Sequence, residues 1–350
     1  MSMRLFWLIG ALLIISCSKD NSKNPFDPSA PKPVNTATRP SSIGILGDTT
    51  DVKPATKAGL VIMGGGTDVD AAFQWMINRS GGGDVVIIRA SGTDAYNAYV
   101  NKLGKVNSVE TLKIDSRKLA DDERVARIIR NAEMLFIAGG DQADYVGYWK
   151  DTKTMQAINY LLTEKKVPVG GTSAGAAILG NYYFGAERGG LDSDEALTNP
   201  YHTKVVIGRE DFLKAPFMSN IFTDQHFSER NRQGRLSVFM ARLMKDWGKT
   251  AYGIAVDERT AVCVDETGNA EVVGAKNAYF VKSDNTKQPE IINTGTPLTW
   301  NHAGKALTVY ALSPTLEKNK FNLTNFSPQN SSGVDSYWWA IVAGSWQIVR

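Results

Sequence analysis

The chain has 350 residues, with 39 Lys plus Arg against 36 Asp plus Glu and a formal net charge of +3. So small a charge excess, unclustered outside one arginine-rich segment, argues against nucleic-acid binding. Two cysteines and three histidines supply neither a disulfide framework nor a zinc set at ligand spacing.

Arg4 precedes the apolar run from Leu5 to Ile15, which closes on Ile14-Ile15-Ser16-Cys17. The run is shorter than the about 20 residues that a membrane helix needs. Residues 1–16 therefore read as a secretory signal peptide ending in a lipobox, with Cys17 as the lipidated cysteine. An ordinary cleaved leader with an incidental Cys17 is the plainer alternative. The expectation is an extracytoplasmic protein, lipid-anchored to a bacterial membrane. Ser18 leans towards the outer membrane, with the domain periplasmic or surface-exposed. Residues 17–56 are rich in Asn, Pro, Ser and Thr and read as a disordered stalk.

Residues 57–282 alternate apolar, β-prone runs with helical stretches. The runs are Leu60–Met63, Val85–Ile88, Leu112–Ile114, Leu135–Ala138 and Val167–Val169. Helices are expected over Val69–Ile77, Asp121–Ile129, Met155–Thr163 and Ser228–Lys245. That alternation predicts an α/β catalytic domain with a doubly wound, mainly parallel sheet flanked by helices. Gly64-Gly65-Gly66-Thr67-Asp68 reads as the first strand–helix turn, since it lacks the lysine of a phosphate-binding loop. Residues 182–216 read as a long polar loop, either a wall over the site or a surface excursion. Alternating stretches after Glu258 predict β-hairpins at the sheet edge, and residues 283–350 a C-terminal β-rich extension packed on the catalytic domain. Cys263, flanked by valines, reads as core.

The chemistry concentrates in Val167-Pro168-Val169-Gly170-Gly171-Thr172-Ser173-Ala174-Gly175. A strand, a Gly-x-Ser-x-Gly corner and a small-residue helix make a nucleophile elbow, with Ser173 at its apex. A serine nucleophile needs a base that titrates near neutrality. His226, after Ile221-Phe222-Thr223-Asp224-Gln225, is expected at a strand end. The third member must be a carboxylate that orients the imidazole. Glu258 and Asp257 both close the apolar run Tyr252–Val256, and they face opposite sides of a strand. Backbone N–H groups of Ala174 and of Gly140, in the turn after Met134–Ala138, are candidate oxyanion donors.

Four blocks carry a family resemblance: Gly139-Gly140-Asp141-Gln142, Gly171 to Ala176, Asp224 to Arg235, and Asp257-Glu258-Arg259-Thr260-Ala261. Over roughly residues 58–282 the chain resembles the cyanophycinases, serine peptidases grouped with the aspartyl dipeptidases. The resemblance implies a fold like that of class I glutamine amidotransferases. It assigns Ser173 as nucleophile, His226 as base and Glu258 as orienting acid, with no cofactor. It also implies Gln142, Asp224, Gln225, Arg230, Arg232 and Arg235 as substrate-binding residues. The implied substrate is cyanophycin, an aspartate backbone bearing arginine on each side chain, cut to β-Asp-Arg dipeptides. Arginines suit its carboxylates and Asp224 its guanidinium groups. Members of the family often pair, which leaves a homodimer open. Two alternatives stand: an aspartyl or isoaspartyl dipeptidase, and a catalytically inactive surface-binding lipoprotein.

Overall fold

The computed structural model describes residues 34–315, 320–329 and 334–350. The signal peptide, Cys17 and the start of the stalk lie outside them. The first half runs β1 (Ser42–Gly47), β2 (Gly59–Met63), α1 (Asp70–Arg79), β3 (Asp84–Arg89), α2 (Ala95–Leu103), β4 (Ser108–Lys113), α3 (Arg117–Ala120), α4 (Glu123–Asn131), β5 (Met134–Ile137), α5 (Gln142–Trp149), α6 (Lys153–Tyr160), β6 (Pro168–Thr172) and α7 (Ala174–Ala177). The second half runs β7 (Tyr182–Phe184), α8 (Ser193–Thr198), β8 (Ile207–Arg209), β9 (Ile221–Gln225), α9 (Gln233–Trp247), β10 (Tyr252–Val256), β11 (Thr260–Asp265), β12 (Asn269–Gly274), β13 (Ala278–Lys282), β14 (Leu307–Leu312), β15 (Lys320–Asn322), β16 (Ser327–Pro328), β17 (Asp335–Val342) and β18 (Ser345–Val349).

The apolar runs are continuous because their strands are buried on both faces, as parallel sheets demand. In β2, Leu60 and Ile62 join the core under α4 to α6, while Val61 and Met63 join the one under α1 and α2. Strands β4, β3, β5, β6 and β2 pair in parallel in that order. Antiparallel β1 covers one edge, and β11, β12, β15 and β16 extend the other. The fold is α/β with a mainly parallel core, helices on both faces and C-terminal strands.

A second sheet carries the order β18-β17-β14-β13-β10-β9-β7-β8. Its parallel pair β9–β10 lies at the centre, with α9 packed across one face through Leu236, Phe239 and Met240. The opposite face, with Ile221, Ile254, Val256 and Phe280, joins the core of the first sheet. Beyond Lys282, β14 pairs along the whole of β13, so the sheet runs on without interruption.

Three expectations need correction. The disordered stalk cannot extend to residue 56: residues 42–47 form β1, paired with β4, and Ile45 and Leu46 are 3% and 6% exposed. Their burial outweighs a segment composition dominated by prolines that stand before them. The stretch 182–216 is not a plain loop, for it supplies β7, α8 and β8. Helix α9 starts at Gln233 rather than Ser228, because Asn231 takes a positive φ of 48° and the chain turns there first.

Candidate active site

Ser173 follows the last residue of β6 and precedes α7, with φ 51° and ψ −117°. An L-residue rarely adopts that conformation, and such outliers gather at active sites. It is held by a bond from the Ser173 N–H to the Met63 carbonyl, 3.1 Å, and by the Ser173 carbonyl accepting from Ala177, 2.9 Å. The corner closes tightly: a Cβ on Gly175 would stand 2.2 Å from the Ile137 carbonyl oxygen. The Gly139-Gly140 turn after β5 lies alongside, its nearest side-chain atom at position 139 being Ser173 Cβ. The Ala174 N–H opens α7 and so has no helical acceptor behind it.

His226 leaves the end of β9, and Glu258 stands two residues past the end of β10. Ser173 Oγ is 2.7 Å from His226 Nε2, and His226 Nδ1 is 2.6 Å from Glu258 Oε1. A carboxylate only accepts, so Nδ1 donates to Glu258 and leaves Nε2 to accept from the serine hydroxyl. Asp257 is engaged elsewhere: it accepts from the Ser228 N–H at 2.9 Å and from Tyr279 Oη at 3.3 Å. Burial pushes the imidazole below its ordinary pKa; the Arg230 and Arg232 charges add to that, against the bond to Glu258. The imidazole is therefore neutral at neutral pH, with Nε2 able to accept a proton.

The loop Gly64-Gly65-Gly66 proves part of the site. The Gly64 carbonyl accepts the His226 N–H at 2.7 Å, and the Gly65 carbonyl accepts the Arg259 N–H at 2.9 Å. Gly65, at φ 93°, lies under the imidazole: a Cβ there would come within 2.4 Å of Cε1. The three-glycine run was visible in the sequence, but its partner at position 226 was not.

Two expected substrate ligands are occupied by each other. Asp224 is 1% exposed, and its carboxylate receives Arg235 Nε at 2.9 Å and Nη2 at 2.5 Å. A buried carboxylate satisfied by a fork-shaped guanidinium has nothing to offer a substrate guanidinium. Arg235, itself 4% exposed, is equally engaged. Arg232 Nη1 donates to the Gln225 carbonyl at 2.7 Å and lies 3.4 Å from Asp224; burial pulls its pKa down to about 10. Gln225 is buried and donates to the Thr223 carbonyl. Gln142 opens α5, whose cap is the Asp141 side chain. Arg230 alone of the three arginines is exposed. Cys263 is buried and its thiol is pushed up by burial. Among the described residues no His, Cys, Asp and Glu cluster is arranged to hold a metal, and no helix is long and apolar enough to cross a membrane.

The sequence model of Peptidase family S51 matches residues 60–272, and the chain belongs to that family. It is 26% identical over 259 residues to a cyanophycinase of Trichormus variabilis, covering 70% of this chain and 81% of the relative. It is also 26% identical over 188 residues to a cyanophycinase of Geminocystis herdmanii, covering 54% and 63%. Among solved structures, a peptidase from an acI-B1 Actinobacterium aligns with a TM-score of 0.47 at 17% identity, covering 75% of this chain and 98% of that one. The protein is a serine-type peptidase, and its substrate is a peptide.

Proposed function

We propose that this family S51 peptidase is a cyanophycinase-like exopeptidase acting through Ser173, His226 and Glu258. The observation that carries the reading is the continuous relay of 2.7 Å and 2.6 Å between three side chains from separate strand ends. Ser173 Oγ attacks the aspartyl carbonyl as its proton passes to His226 Nε2. Glu258 holds the Nδ1–H and stabilises the imidazolium that results. The N–H groups of Ala174 and Gly140 receive the developing oxyanion. Collapse expels the leaving amine, which takes the proton from Nε2. Water then enters by the same route in reverse, giving up a proton to His226 and freeing the acid from Ser173.

The substrate assignment, cyanophycin released as β-Asp-Arg, rests on the cyanophycinase relatives. One observation favours the second reading, an aspartyl or isoaspartyl dipeptidase. With Arg232 and Arg235 drawn onto Asp224, Arg230 is the one of these three arginines left to meet a carboxylate, which suits a short substrate. Incubation with cyanophycin granules, followed by mass spectrometry, separates the two. Release of β-Asp-Arg that disappears in Ser173→Ala supports the polymer. Inert granules beside cleaved Asp-X or β-aspartyl dipeptides support the dipeptidase, and silence on both leaves the inactive binding lipoprotein.

Lipidation at Cys17 extends the proposal: an anchored, extracytoplasmic enzyme would scavenge polymer from its surroundings. Metabolic labelling with an alkyne fatty acid should tag the parent and not Cys17→Ser. Equal labelling of both would remove the anchor from the proposal.

A further inference from the structure

Resting on the peptidase reading above, we propose that Glu229, held by Lys276, is a positioning residue that sets Glu258 against the imidazole. Strands β9 and β10 are parallel, with Gln225 opposite Val256, so the segments bearing His226 and Glu258 leave the same end of the sheet side by side. Past those two residues the ladder gives out. Among the described residues one further backbone bond joins the segments, from the Phe227 N–H to the Val256 carbonyl at 3.3 Å. Two side chains then tie them crosswise. The Asp257 carboxylate accepts the Ser228 N–H at 2.9 Å, and Glu229 Oε2 accepts the Glu258 N–H at 3.2 Å. The other carboxylate oxygen of Glu229 receives Lys276 Nζ at 2.5 Å, from the turn between β12 and β13.

Glu258 depends on that hold. Its side chain is 31% exposed, and among the described residues its carboxylate bonds to His226 alone. The place of the carboxylate is therefore set from its backbone. On the carbonyl side Thr260 Oγ1 adds a bond of 3.3 Å, and the next residue, Arg259 at φ 60°, donates its N–H to the Gly65 carbonyl at 2.9 Å. On the N–H side the hold is Glu229. Burial opposes ionisation of Glu229, but the bonds from Lys276 and from the Glu229 and Glu258 N–H groups outweigh it and keep the carboxyl below the usual range. It is charged and accepting at neutral pH. Glu229 stands three residues past His226, so the segment that carries the base also fixes the corner that carries the acid.

Two paired variants with the net charge of the parent isolate the bond. Glu229→Gln with Lys276→Met keeps an acceptor for the Glu258 N–H, and Glu229→Ala with Lys276→Met removes it. In kcat the glutamine pair should stay within about threefold of the parent, and the alanine pair should lose roughly tenfold with KM unchanged, the effect of one hydrogen bond. The bond from Glu258 raises the His226 pKa. Loosening it should therefore move the kcat/KM limb to lower pH in the alanine pair and not in the glutamine pair. A smaller fraction of folded enzyme would scale the profile without moving it. The other charges that act on the imidazole, Arg230 and Arg232, are the same in both pairs. The Nδ1 proton resonance of His226 reads the same bond without turnover and should shift in the alanine pair alone. Equal kinetics and resonances in the two pairs, a limb shift shared by both, a change confined to KM, or loss of the fold in the alanine pair would overturn the positioning role. A parent without turnover would remove the peptidase reading and leave the resonance to decide whether Glu229 sets the contact.

Discussion

Replacing Gly65 by alanine should disable the enzyme without unfolding it. A Cβ at position 65 would stand 2.4 Å from Cε1 and 2.5 Å from Nε2 of His226. Non-bonded carbons settle about 3.5–4.0 Å apart, so the ring must retreat by about 1 Å. The bond at stake is the 2.7 Å contact between Nε2 and Ser173 Oγ, and a retreat of that size takes it out of hydrogen-bonding range. A displacement of about 1 Å at a reacting pair costs on the order of 10²-fold in rate. The backbone penalty is separable. Gly65 has φ 93°, and an alanine there loses about 1–2 kcal/mol, well inside the stability of an ordinary domain. Gly189→Ala is the control, because Gly189 has φ 92° and nothing within 4 Å of its would-be Cβ. Dipeptide release and fluorophosphonate labelling of Ser173 give the readout, with circular dichroism reporting the fold. Parent-like turnover in Gly65→Ala, or equal losses in both variants, would refute the reasoning.

Attack requires neutral imidazole, and the His226 pKa is depressed, so kcat/KM should rise with pH along a limb centred below the usual histidine value of about 6.5 and be flat at neutrality. Arg230→Gln removes one depressing charge and should shift the midpoint upward; a parent midpoint above the histidine value would contradict this. Glu258→Gln takes away the charge that stabilises the imidazolium and should cost on the order of 10³- to 10⁴-fold in kcat. Asp257→Asn, acting on Ser228 and Tyr279 instead, should cost about 1 kcal/mol of stability and little turnover, and the reverse ranking would exchange their roles. Asp224→Asn leaves the Arg235 guanidinium buried without its counter-charge and should destabilise by about 3–5 kcal/mol. An unchanged melting temperature would show that the pair is not needed for the fold.

Ser173, His226 and Glu258, which the structure brings together, could be picked from the sequence because each stands at or just past the end of a recognisable apolar strand, where side chains emerge together. The sequence carried the central strands for the same reason: Leu60–Met63 and Val85–Ile88 have no polar face to expose. It did not carry pairings made across distance. Asp224 and Arg235 both look like ligands until the helix brings one onto the other. The glycines at 64–66 look like an ordinary turn until a histidine from another sheet is laid over them. Strand β1 hid behind prolines, since window composition averages over the few residues whose burial decides. The division into two sheets was hidden as well, because short alternating strands carry no mark of which neighbour they will choose.

Ser173 rides at the end of a first-sheet strand, whereas His226 and Glu258 follow strands of the second sheet. A ribosome that has just released the elbow has made a serine with no proton acceptor. More than eighty further residues separate it from Glu258 in the chain, as the numbering of the two shows. On the proposed mechanism, hydrolytic competence requires both sheets to be in place. Because the two sheets share one core, loss of turnover on heating is expected to track the melting of that core, as circular dichroism reports it.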